Sequence, residues 1–228
     1  GRLIDDAALA DLLEEVETVN DHQPVTFFEV TTAAAMLAFS RQSADLLFLE
    51  TGLDGALDST NVLNAPMATI ITPIARDHEH FLGTSLTSIA EQKAGIMRPG
   101  TPCFSAAQSP EVAKALQNYA DKIGAPFHLA GRDFEISPQR DGGGRLTMPG
   151  KITYFPPSNL AGQHQIDNAG LALMALNSTR PCAPDGIANA IWPGRVQKLD
   201  TGTLTTIWPY QPIWLDGAHN AHGATALA

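Results

Sequence analysis

Cysteine, charge and long apolar runs are all scarce in this chain of 228 residues. Only Cys103 and Cys182 occur, with no CxxC pair. That is too few for a disulfide scaffold, so a reducing compartment, the cytoplasm, is expected. No apolar stretch approaches the about 20 residues that span a bilayer, so no membrane partner is expected. Lys and Arg number 14 against 24 Asp and Glu, a net charge of −10. A general nucleic-acid binder needs clustered basic side chains, as does a polybasic membrane-surface protein, and neither class fits. An anionic ligand would have to be held by local donors and metal ions that overcome the overall field. No G-x-x-x-x-G-K-[ST] loop is present in the N-terminal half, and no G-x-G-x-x-G follows a strand. The first residues are not a signal peptide, and no Met opens the chain. The final Gly-Ala-Thr-Ala-Leu-Ala reads as the first turns of a further helix, so both ends look cut.

What is present reads as a compact globular α/β protein, with 44% hydrophobic and 17% charged residues. Leu9, Leu12, Leu13, Val16 and Val19 fall at helical spacing over residues 5–19, with Asp5 and Asp6 at the positive end of the dipole. Pro24 to Glu29 reads as an extended entry into an Ala-rich helix near 30–41. Leu46 to Leu49 is a short continuous apolar run, the pattern of a strand buried on both faces. A Gly/Asp-rich loop, Gly52 to Asn61, follows it.

Further strands are expected over Met67–Ile74, Pro102–Ser105 and Pro126–Leu129. Helices alternate with them, over 85–94 and from Ser109-Pro110 to Ile123, the second stopping at Gly124. Such alternation indicates a parallel sheet. After Gly131, a hairpin is expected around Asp141-Gly142-Gly143-Gly144. A helix then runs over 159–176, residues 177–194 have no clear pattern, and Trp214-Leu215-Asp216-Gly217 is a strand entering a glycine turn.

Ligands of open α/β sheets sit at the carboxyl ends of strands. Two segments put polar residues there: Glu50, after the run 46–49, and Asp77-His78-Glu79-His80, after Ile74. Glu50 and His78 could share one metal if their strands are neighbours. Alternate residues of an extended segment point apart, however, and no HExxH exists. Lys93 stands near a helix C-terminus, where position alone makes it a surface lysine favoured by the dipole.

Seven segments in order carry a resemblance along the whole chain. They are Thr26 to Thr32, Leu49 to Asn61, Asp77-His78 with Leu82-Gly83, and Ile89 to Ile96. Gly162 to Ala169, Trp192 to Gln197 and Leu215 to Asn220 complete the set. Together they resemble the bifunctional dihydrofolate synthase/folylpolyglutamate synthase branch of the Mur ligase superfamily. The resemblance implies a Mur-ligase-type central ATPase domain: a mostly parallel sheet flanked by helices, a small antiparallel β region, and the start of a C-terminal Rossmann-like domain. Residues 1–197 would belong to the central domain, and 198–228 to a linker and the beginning of the glutamate-ligase domain. The phosphate loop would lie upstream, further residues would be absent near 177–187, and the chain alone would be inactive.

The same resemblance implies ATP-dependent addition of L-glutamate to dihydropteroate or folate through an acyl phosphate. One or two Mg²⁺ ions serve it, and a monovalent cation is left open. Glu50 and His78 match magnesium ligands. Lys93 matches a lysine that is carbamylated to N6-carboxylysine, which reverses the reading from position. Thr26, Phe27, Phe28, Glu29 and Leu57 match the pterin side, where the alternative from residues alone is a buried Phe pair with a helix-capping Glu. Asn168, Arg195 and Asp216 match ATP contacts, with His219 on the same turn. A monomer is implied. Asp54 stands where the family usually has Gly, Ala56 where it has Arg, Gln92 where it has Glu, and Ala221 where Pro is common. Two other readings stand beside this one: a Mur-type ligase acting on a UDP-sugar peptide, and a non-catalytic nucleotide- or pterin-binding homologue.

Overall fold

A computed structural model describes residues 3–75, 85–180, 182–219 and 221–227. The chain divides into two compact units, residues 1–64 and 65–228.

The first unit is built on two helices that pack together. Helix α1, Asp6–Asn20, starts where Asp5 accepts the Ala8 N–H at 2.9 Å. Helix α2, Phe27–Ser40, opens with a reciprocal cap. The Thr26 hydroxyl accepts the Glu29 N–H at 3.2 Å, while Glu29 accepts the Thr26 N–H at 2.8 Å. Such a box satisfies two of the donors that every helix start leaves open. It moves the start back to Phe27, so Phe27 to Glu29 form the first turn and not an extended entry. Arg41 pairs with Glu15 across the two helices at 2.6 Å, and Leu12 and Ala34 are buried.

The strand expected at Leu46–Leu49 is absent: these residues carry no ladder, and Phe48 is 73% exposed. Apolar content makes a strand only where a neighbouring backbone completes its hydrogen bonds, and no described segment pairs with this run. Side-chain oxygens hold the following loop instead. Asp58 accepts the N–H groups of Gly52 at 2.9 Å and Leu53 at 3.0 Å through one oxygen, and that of Thr60 at 3.0 Å through the other.

The second unit contains a parallel sheet in the order β1 (Thr69–Ile71), β2 (Cys103–Ser105), β3 (Phe127–Leu129). Its register sets Ile70 beside Phe104 and Phe104 beside His128. Helices α3 (Leu86–Ala94) and α4 (Pro110–Ile123) connect the strands and pack on each other. The Ser109 hydroxyl accepts the Val112 N–H, Pro110 opens α4, and Gly124 closes it.

Successive strand residues face opposite sides, and the core divides accordingly. Cys103 joins Ile71, Ala90, Val112, Leu116 and Phe127 in one cluster. Phe104 joins Phe134, Leu146, Phe155 and Leu171 in the other. The second cluster is covered by an antiparallel sheet and a helix. The sheet is β4 (Glu135–Pro138), β5 (Gly144–Met148) and β6 (Lys151–Phe155), and the helix is α5 (Gln163–Thr179). The hairpin expected around Asp141 is thus two-thirds of a three-stranded meander, because Pro149-Gly150 makes a second tight turn. Helix α5 starts at Gln163, later than expected, since Gly162 sits at φ 109.

Past a 3-10 turn at Pro184–Asn189, strand β7 (Gln197–Leu199) pairs antiparallel with β8 (Ile213–Leu215). Helix α6 (Thr203–Ile207) lies between them in the chain, and α7 (Ala221–Leu227) follows. No helix among the described residues is long and apolar enough to cross a membrane. The architecture is the mixed α/β arrangement expected, with a parallel sheet and small antiparallel sheets.

Candidate functional site

The residues expected on the pterin side fall at the start of α2 and in the loop 52–61. A cleft of about 220 Å³ is lined by Phe28, Thr32, Met36, Phe48, Glu50 and Thr60. Phe28 lies directly over Gly52, where an added Cβ would meet the ring and force it to shift. Phe27 is 85% exposed and Leu57 is 86% exposed. The buried Phe pair of the alternative reading is therefore not found, whereas the capping Glu is. Hydrogen bonds from the Thr26 hydroxyl and backbone N–H hold the Glu29 carboxyl below its usual range.

Asp54, at the position usually Gly, accepts the N–H of its neighbour Gly55 and that of Leu57 at 3.1 Å. Asn61 reaches the Ala56 carbonyl at 3.3 Å. Burial pushes Asp58 up, but the Thr60 hydroxyl and the N–H groups of Leu53, Thr60 and Gly52 outweigh it, leaving its pKa below the ordinary value.

The Glu50 carboxylate is exposed and makes no hydrogen bond or ion pair among the described residues. A free hard-oxygen donor on a cleft rim suits a hard cation such as Mg²⁺. Lys93 is half-buried in the last turn of α3. His78, with Asp77, lies outside the described residues. Among the described residues there is no group of three or more His, Cys, Asp or Glu that could hold a metal. Burial pushes the Cys103 thiol up to about 11, which leaves it a packing residue with little thiolate.

The residues expected on the ATP side come from three segments of the second unit. Asp216 accepts the Val196 N–H at 2.7 Å and the Ala218 N–H at 2.7 Å. These two bonds lower its pKa most; Arg195 and His164 add favourable charge. Gly217 donates to the Gly194 carbonyl at 2.8 Å, and His219 Nδ1 lies 2.8 Å from the Gly217 carbonyl. Asn168 donates to Gln165 at 3.3 Å, and the buried Gln165 amide lies 3.1 Å from His164 Nε2. Arg195, Asp216 and His219 thus share one turn, and Asn168 stands beside Gln165 and His164, whose charge acts on Asp216. Arg195 itself is exposed, with its guanidinium in no hydrogen bond among the described residues.

Sequence reasoning missed Asp58, His164, Gln165 and Gln197. Asp58 could have been found: an Asp followed by Ser-Thr is a recognised side-chain turn signal. His164 and Gln165 were visible only as members of a matching segment. Gln197, too, was visible only as a member of a matching segment.

No protein-family model matches the chain. Curated proteins do. Dihydrofolate synthase/folylpolyglutamate synthase of Bacillus subtilis is 32% identical over 240 residues, covering 95% of this chain and 51% of that protein. The Mycobacterium tuberculosis protein of the same name is 32% identical, over 97% of this chain and 48% of that protein. Among solved structures, E. coli FolC in complex with ADP, without folate substrate, superposes with a TM-score of 0.85 at 30% identity. That match covers 100% of this chain and 53% of the other. The chain thus spans about half the length of the relatives it matches.

Proposed function

We propose, for a chain that belongs to the dihydrofolate synthase/folylpolyglutamate synthase family, that it forms part of an ATP-dependent carbon–nitrogen ligase. The protein joins the amine of L-glutamate to the carboxylate of 7,8-dihydropteroate or of a folate polyglutamate, as a cytoplasmic monomer. The observation that carries this reading is the match to named synthases along 95% of the chain. Residues 1–197 are assigned to the ATP-binding domain, and 198–228 to the linker and the start of the glutamate-ligase domain.

The reaction needs two group transfers. A carboxylate oxygen of the acceptor attacks the terminal phosphorus of ATP, and ADP leaves. The glutamate amine then attacks the acyl carbon. The tetrahedral intermediate expels phosphate with the C–O electron pair, and the amine nitrogen gives up a proton. Both steps pass through concentrated negative charge, so positioning and electrostatic stabilisation dominate. Magnesium would supply Lewis-acid stabilisation there, with Glu50, His78 and a carbamylated Lys93 each proposed as a ligand.

The remaining roles fall to the chain itself. Arg195, exposed and uncommitted to any hydrogen bond among the described residues, grips phosphate oxygens in a bidentate fork. Asn168, Asp216 and His219 orient the nucleotide base and ribose. The cleft bearing Phe28 and Phe48 receives the flat pterin on aromatic faces, while Thr26 and Glu29 fix the helix end that presents Phe28. Phe27 and Leu57, both exposed, complete the pterin side.

The intact protein is tested by ATP hydrolysis coupled to dihydropteroate and glutamate. Turnover is expected. Turnover only with a UDP-sugar peptide would favour the Mur-type alternative, and ligand binding without turnover the non-catalytic one. Lys93→Ala is expected to lose most activity and to regain part of it with acetate. A variant at wild-type rate would remove the carbamate.

A further inference from the structure

Gln165 is 9% exposed, and it is the only amide among the buried polar side chains described; the others are the hydroxyls of Thr69, Thr101 and Ser105. The oxygen and nitrogen ends of an amide differ little in shape, so its partners decide which way round it sits. Gln165 meets a partner at each end. Its Oε1 accepts from Asn168 Nδ2 at 3.3 Å, and its Nε2 lies 3.1 Å from His164 Nε2. An amide nitrogen only donates, so an uncharged His164, with its proton on Nδ1, accepts there. The three side chains thus form a chain of bonds with one direction, from Asn168 through Gln165 to His164.

The backbone holds the inner members of this chain. Gln165 stands in the first turn of α5, its N–H donating to the Gly162 carbonyl at 3.0 Å. His164 folds back over Gly162, where an added Cβ would meet the ring. Asn168 follows three residues after Gln165, on the same helix face, and is exposed. Its nitrogen is engaged by Gln165, while its oxygen takes no hydrogen bond among the described residues. One amide hydrogen is left beside that oxygen. An acceptor next to a donor matches adenine, whose amino group adjoins a ring nitrogen. Hypoxanthine puts a carbonyl in place of the amino group, and two acceptors would then face each other.

We propose that Gln165 is a positioning residue, which turns the Asn168 nitrogen inward so that the Asn168 oxygen meets the nucleotide base, and that this orientation makes the site prefer adenine to hypoxanthine. This rests on the reading that Asn168 contacts the base.

The test is the pair of dissociation constants for non-hydrolysable ATP and ITP analogues with excess Mg²⁺, measured on the intact protein at about pH 8, where an ordinary histidine is uncharged. The parent should bind the adenine analogue about tenfold more tightly, the scale of one hydrogen bond. Equal binding of the two overturns the proposal. Gln165→Met keeps the length and a good helix former but offers no acceptor. The Asn168 amide can then turn either way, and the preference should fall to about twofold. A merely structural role would weaken both analogues alike, so an unchanged ratio overturns the proposal. Gln165→Glu returns an oxygen to Asn168 and should restore the preference. Its charge acts on both analogues alike, because they share the triphosphate. A ratio as low as that of Gln165→Met counts against the relay.

Asn168→Ala reports separately on the base reading. If it keeps the parent ratio, that reading fails. The relay is then judged on the Asn168 side-chain amide protons, which should exchange with solvent more slowly in the parent and in Gln165→Glu than in Gln165→Met. Equal exchange in all three overturns it.

Discussion

The two units are held by different physics. In residues 65–228, two apolar clusters sandwich the parallel sheet, and Leu116, Leu146, Phe104 and Leu171 are almost completely enclosed. In residues 1–64, only Leu12 and Ala34 are buried apolar residues among those described, while Phe27, Phe48 and Leu57 are largely exposed. Its order comes from polar bonds: the Thr26–Glu29 box, the Asp58 acceptor and the Arg41–Glu15 pair. Hydrophobic burial is proportional to area and indifferent to direction, whereas a capping carboxylate acts only on the few N–H groups it reaches. The proposed chemistry draws on both. The cleft proposed for the pterin lies in the unit with exposed aromatics, and the Arg195 turn in the unit with the core.

This contrast can be broken by core truncation. Leu116→Ala should destabilise the second unit by about 2–5 kcal/mol in denaturant unfolding, through lost burial and an unfilled cavity. Phe48→Ala, at an exposed ring, should change stability by less than about 0.5 kcal/mol. Equal losses would show that the exposed ring packs after all. A smaller effect sharpens the other half: Asp58→Ala should cost about 1 kcal/mol and speed amide exchange at Gly52, Leu53 and Thr60. Unaltered exchange would show that the loop does not depend on that carboxylate.

Acid gives the mildest probe. The Asp58 and Glu29 carboxyls are held below their ordinary values. Their contribution is complete above the unfolded values, about 3.9 and 4.3, and is lost as pH falls through the lower folded values. The first turn of α2 and the loop at Asp58 should therefore loosen below about pH 4, before the ordinary surface helix of α4. Loss of α4 first would contradict the division.

Most helices were legible because their signals are local. Ser109-Pro110 and Gly124 delimit α4 within one turn of each end, and Asp5 does the same for the start of α1. Glu29 was legible as a capping residue, but the register of the cap, and so the start at Phe27, was not. The candidate site was legible only through resemblance. Glu50, Lys93 and Arg195 have no distinguishing local pattern, and an exposed charge is the same in any sequence until its neighbours are known.

The sequence by itself determined the alternation of strand and helix in the second unit and the polar turn chemistry of the first, since each depends on groups a few residues apart. Tertiary structure decided whether Leu46–Leu49 became a strand, because a ladder requires a partner whose backbone lies elsewhere. It also decided that Asp216 closes on Val196, twenty positions away, since such a bond depends on how β7 and β8 pair.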